Sequence, residues 1–103
     1  MLRYFRNAEA MWREEDLTRE EAIKGLEKGE DVSEIGTSII LFQGKMHAIN
    51  ILGTEIWKLC EGKTAAEIVS ELSKHFEVEL PVLEADVSAF LKNMKELGLV
   101  YEE

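Results

Sequence analysis

The chain has 103 residues, with 12 Lys and Arg against 21 Asp and Glu, for a net charge of −9. Apolar residues make up 46% and charged residues 32%, the balance of a folded domain rather than a disordered segment. The length suits a single domain, 1–103, with one hydrophobic core. The acidity argues against nucleic acid and anionic membrane surfaces as partners, because both are bound largely through Lys and Arg. No apolar run approaches the roughly 18 residues of a membrane helix. Met1–Asn7 is basic but leads into no apolar stretch of the secretory kind. Cys60 is the only cysteine, which excludes an intrachain disulfide and a Cys-based zinc site and fits a reducing, cytoplasmic setting.

Residues 1–37 are expected to hold one strand and one helix. The strand falls within 8–16, with Met11 and Trp12 as its packing residues. The helix falls over 18–29: Thr18 suits the N-cap, Glu21 completes a capping box, Ala22, Ile23 and Leu26 follow at helical spacing, and Gly29 suits the position after the C-cap. Residues 38–49 read as a β-hairpin turning at Gly44 and Lys45. Its unbroken apolar run, Ile39 to Phe42, implies a strand covered on both faces, or on one face by a partner.

Three helices are expected over 50–101. Asn50 caps the first, with Leu52, Ile56, Leu59 and Cys60 on one stripe and Gly62 as its end. Thr64 and Glu67 make a capping box for the second, which buries Ile68, Val69, Leu72 and Phe76. Pro81 opens the third, where its missing N–H has no helical partner anyway. Leu83, Val87, Phe90, Leu91, Met94 and Leu97 form its apolar stripe, Gly98 stops it, and Leu99 to Tyr101 run extended. The expected fold is α+β: a small antiparallel N-terminal sheet, an extra helix inserted before the hairpin, then a three-helix bundle. These are the parts of a winged helix-turn-helix.

The side chains with reactive chemistry do not assemble into a catalytic set. Cys60 sits on an apolar stripe beside Glu55 and Glu61, the wrong sign to activate a thiol. His47 and His75 have no metal-ligand spacing to each other or to Cys60. The acidic runs read as solvated faces. From Pro81 to Leu97 the last helix carries Glu84, Asp86 and Glu96 against Lys92 and Lys95, a net charge of 2 − 3 = −1 with no Arg. That is a poor helix for reading DNA. What remains is a strand edge, which an extended peptide can join through backbone hydrogen bonds.

The run His47-Ala-Ile-Asn-Ile-Leu-Gly-Thr-Glu-Ile-Trp-Lys-Leu-Cys-Glu-Gly62 resembles the central signature of PqqD-type proteins. Thr64-Ala-Ala-Glu-Ile-Val-Ser-Glu-Leu72 and the segment from Asp86-Val-Ser-Ala-Phe-Leu91 to Leu97-Gly-Leu-Val100 continue it, and Trp12-Arg-Glu-Glu15 resembles the family's first strand. The resemblance implies a winged helix-turn-helix that serves as a recognition element for ribosomally made, modified peptides (RiPPs). Such a protein is a non-catalytic chaperone without a cofactor of its own. It binds a precursor's leader and presents it to a modifying enzyme, commonly a radical S-adenosylmethionine protein. Carried over by position, the leader pairs beside Lys45, Met46, His47, Ala48 and Ile49. The helix Pro81–Leu97 supplies Asp86, Phe90 and Asn93, with Lys92 and Lys95 holding an acidic leader. Two features depart from the family: the long segment Leu17–Thr37 and the charge of −9. The resemblance leaves the pathway open, pyrroloquinoline quinone or another peptide. An uncovered edge allows a monomer or a weak, segment-exchanged dimer. The alternatives are a DNA-binding winged-helix regulator and an enzyme-docking scaffold without a peptide site.

Overall fold

The computed structural model describes residues 1–103 as an α+β fold with six strands and four helices. The chain forms two compact units, one of residues 8–54, the other of residues 1–7 and 55–103.

In the first unit β2 (Met11–Glu14), β3 (Ser38–Phe42) and β4 (Lys45–Ile49) form an antiparallel sheet in that spatial order. Strand β1 (Arg3–Arg6) belongs to the other unit. The β3–β4 hairpin turns through Gln43 and Gly44, both in the left-handed region at φ 51° and 75°. This is one residue earlier than expected. Two positive φ values in a two-residue loop give the turn whose twist matches the strands it joins, and Gly44 carries its share without strain. On β3, Ser38, Ile40 and Phe42 are buried while Leu41 is exposed, so the apolar run is covered on one face only. Trp12 on β2 is half-buried, but Met11 is exposed and does not pack as expected.

Helix α1 (Asp16–Glu27) starts two residues before the expected Thr18. Glu15 is the N-cap because its N–H is held by the Thr37 carbonyl at 2.8 Å, which keeps the chain extended up to that residue. Thr18 therefore lies inside the first turn, where its hydroxyl donates to the Glu15 carbonyl at 3.0 Å. The buried side of α1 is Ala22 and Gly25 rather than Ile23 and Leu26. Helix α2 (Ile51–Leu59) begins at Asn50, whose side-chain oxygen accepts the Gly53 N–H at 2.8 Å. Beside that cap lies a buried hydroxyl cluster: Thr54 meets Thr37 at 2.9 Å and Ser38 at 2.7 Å.

The second unit holds the rest. Strand β1 (Arg3–Arg6) is the centre of a sheet between β5 (Glu61–Thr64) and β6 (Val100–Glu102). Gly62 does not end α2, which stops at Leu59; it is the extra residue of a bulge in β5, at φ 87°, with Phe5 so close that a Cβ would lie 3.3 Å from its ring. The end of α2 is held instead by Arg6, which donates to the carbonyls of Trp57 (3.0 Å) and Lys58 (2.7 Å) and pairs with Glu61. Helix α3 (Ala65–Ser73) has the expected capping box: Glu67 N–H to Thr64 Oγ1 at 3.1 Å, and Thr64 N–H to Glu67 Oε1 at 2.9 Å. Helix α4 (Leu80–Glu96) has Pro81 in its first turn and buries Leu83, Val87, Leu91 and Met94. Phe90 is half-buried and Leu97 exposed, so these two members of the expected stripe lie off the core.

Thr54→Val keeps the shape of the hydroxyl cluster but removes its shared member. A loss of about 1–3 kcal/mol is expected, as for a buried polar group left without its partner, read as a lower urea midpoint at unchanged slope.

Candidate functional site: the open edge of the hairpin

β4 has one strand neighbour, β3, and no strand of the chain on its other side. The register pairs Phe42 with Lys45, Ile40 with His47 and Ser38 with Ile49. A two-residue turn makes the first of these a hydrogen-bonded pair, and antiparallel strands alternate bonded and non-bonded pairs. Lys45, His47 and Ile49 thus direct their backbone groups at β3. Met46 and Ala48 direct theirs outward, to the open edge. Of the five strand residues expected to pair with a peptide, these two present free N–H and C=O groups. Side chains alternate separately. Ile49 is buried and His47 half-buried on the inner face, while Met46 and Ala48 are exposed on the outer face.

The five α4 residues do not share one face. Asp86, Phe90 and Asn93 follow at spacings of four and three and form one stripe. Lys92 and Lys95 lie across the buried stripe from them, with Glu84 and Ser88. They line a cleft of about 700 Å³ between α3 and α4, whose walls include Ala66, Val69 and Ser70. Lys95 is also engaged: its ammonium is paired with Glu102, which raises the lysine's pKa and holds the carboxyl below its ordinary value of 4.5. Lys92 is exposed and Lys45 is exposed at the start of β4.

Cys60 is buried and its thiol donates to the Ile56 carbonyl at 3.3 Å. Burial pushes its pKa up to about 12, against a smaller opposing effect of Arg6, so it stays a protonated structural thiol at neutral pH. No group of three or more His, Cys, Asp or Glu side chains is placed to hold a metal ion. No helix is long and apolar enough to cross a membrane. A feature that sequence reasoning missed is a row of exposed apolar side chains crossing the outer face of the sheet. It runs from Met11 through Leu41, which faces it in the register, to Met46. The unbroken run Ile39–Phe42 was its one visible signal.

The chain is a small α+β fold with one unpaired strand edge at β4. The sequence profile described as "Coenzyme PQQ synthesis protein D (PqqD)" matches residues 26–100, and the chain belongs to that family. The fold is shared with three solved structures. TbiB1 in complex with the TbiA(beta) leader peptide has a TM-score of 0.67 at 21% identity, over 93% of each chain. Lasso peptide synthetase B1 complexed with the leader peptide has a TM-score of 0.66 at 19% identity, over 95% of this chain and 96% of that one. The PqqD truncation of Methylobacterium extorquens PqqCD, described as a stand-alone RiPP recognition element, has a TM-score of 0.65 at 12% identity, over 95% and 87%. The chain matches no curated protein sequence.

Two measurements check this geometry. In hydrogen–deuterium exchange of the free protein, the amides of Met46 and Ala48 should exchange fast and those of His47 and Ile49 slowly; equal protection of all four would refute the register. The Lys95–Glu102 pair should stabilise the fold at neutral pH. Because the Glu102 carboxyl titrates lower when folded than when unfolded, that contribution is present above pH 4.5 and drains away as pH falls through the lowered value. Lys95→Met should flatten this part of the acid unfolding profile.

Proposed function

We propose that the protein is a non-catalytic peptide-recognition element. It takes the leader of a ribosomally made precursor as a fourth strand against β4 and presents it to a modifying enzyme. The observation that carries this reading is the pair of outward-facing backbone sets at Met46 and Ala48, on a strand with no second neighbour. Each set is one donor and one acceptor, which an extended peptide satisfies at every second residue. Family membership and the two related folds solved with leader peptides support the same reading. The α4 stripe Asp86, Phe90 and Asn93 enters from the family resemblance as the peptide's second contact. The winged helix-turn-helix character, a radical S-adenosylmethionine enzyme as the recipient, and a cytoplasmic setting belong to this reading and rest on the same resemblance. The open edge also admits a second copy of the chain, as a weak or segment-exchanged dimer.

The test is titration with a synthetic leader from a precursor encoded beside the gene, followed by amide NMR. Shifts should concentrate on Lys45–Asn50; shifts elsewhere with that strand unmoved would overturn the assignment. Ala48→Pro removes an outward N–H without touching the β3 ladder, so the fold should survive. Affinity should fall by at least about threefold, the worth of one backbone hydrogen bond. Phe90→Ala tests the helix contact independently, by affinity measured under conditions where the variant is fully folded.

A further inference from the structure

We propose that the incoming peptide completes the outer face of the sheet, and that its residue opposite Met46 is a specificity position for a large apolar side chain. The inference rests on the strand-addition reading and extends it to the chemistry of the ligand.

Met11 stands opposite Leu41, and Leu41 opposite Met46, so the three occupy one row across β2, β3 and β4. They are exposed by 69%, 43% and 70%. Residues facing each other on one side of a sheet lie about 4.5–5.5 Å apart and contact directly. The row is therefore continuous, apolar and bare, and it stops at the strand whose edge is open. The next row, Arg13, Ile39 and Ala48, ends at the same edge. Arg13 there is paired with Glu15, which leaves Ile39 and Ala48 as its neutral part.

A strand joining at the outward backbone groups of Met46 and Ala48 forms its bonded pairs with those two residues. The peptide residues in those pairs are two apart, and both project onto the outer face. One meets the flexible thioether of Met46 with Leu41 behind it, a surface that adapts to Leu, Ile, Met or Phe. The other meets the methyl of Ala48, with Gly36 packed close beside it. The residue between them turns to the His47 side. The ligand class is therefore an extended peptide with apolar residues at positions i and i+2. A second copy of the chain is the disfavoured occupant, since two chains each at −9 repel.

The probe is a random 12-residue peptide library displayed on its encoding mRNA, selected against the full chain and against its Ala48→Pro and Met46→Glu variants. The wild-type pool should be enriched in Leu, Ile, Met or Phe at two positions two apart, and its leading peptides should bind Ala48→Pro at least about threefold more weakly. On Met46→Glu, one of the two positions alone should change to Lys or Arg. The leading wild-type peptides should weaken on the order of fivefold on that variant, the upper end for one cross-strand pair. An unchanged preference on Met46→Glu, with binding still weakened by Ala48→Pro, would overturn the specificity inference and leave strand addition standing. Peptides bound equally by wild type and Ala48→Pro, or no enrichment at all, would overturn strand addition and the inference with it. A dimer in sedimentation that Met46→Glu dissociates, with no peptide enriched, would seat a second copy on the row and overturn both.

Discussion

The parity of the β3–β4 hairpin decides what this protein offers to a partner. Gln43 and Gly44 both sit at positive φ, which locks Phe42 opposite Lys45 and fixes every pair beyond them. A slip of one residue would turn the backbone groups of Met46 and Ala48 inward and those of His47 outward. It would also move each side chain to the other face, expelling Ile49 from the interior. The far end of the hairpin enforces the same register. Ile49 is buried, and its carbonyl accepts the Thr37 N–H at 2.8 Å. Turn geometry at one end and apolar burial at the other thus agree, and the open edge has one defined set of donors and acceptors.

The buried hydroxyls extend this control into α2. Thr37, Ser38 and Thr54 are all fully buried, an arrangement that is costly unless their polar atoms are partnered. They partner one another, with the Ile49 carbonyl 3.4 Å from the Thr54 hydroxyl. The start of α2 is therefore tied to the base of the hairpin by bonds that apolar contact alone would not orient. At its other end Arg6 satisfies two carbonyls that a helix terminus leaves open. A helix of nine residues has little stability of its own, and both ends are fixed by residues distant in sequence.

The helices and the hairpin were legible because their signals are local. Asn50, the Thr64–Glu67 box and Pro81 each act within one turn of the residue that carries them. The sheet centred on β1 was not legible. Arg3–Arg6 and Glu61–Thr64 are four residues each, without alternation, and become strands only by pairing with each other across most of the chain. The start of α1 was misplaced for the same reason: a backbone bond from Glu15 to Thr37 outweighs the capping preference of Thr18. At the site, the strand was identifiable but its parity was not. Placing the turn at Gly44–Lys45 rather than Gln43–Gly44 moves the first bonded pair from Phe42–Lys45 to Gln43–Met46 and so exchanges the inward and outward roles of Met46 and His47. The two stripes of α4 were present in the spacing, but that Lys95 is occupied depends on Glu102, which β6 brings alongside.

An open strand edge flanked by bare apolar side chains is a hazard as well as a site. Such edges template pairing between copies, and natural proteins blunt them with charge or shield them. Here the edge itself is not blunted: beyond Lys45 it offers Met46 and Ala48, both exposed and uncharged. The protection is global instead. A charge of −9 on 103 residues opposes, on average, the approach of a second copy. A short peptide of modest charge meets far less of that repulsion, because its energy in the protein's field scales with its own charge. The same charge therefore discriminates between the two strands that could occupy the edge, disfavouring self-pairing while leaving the backbone groups of Met46 and Ala48 available to a ligand.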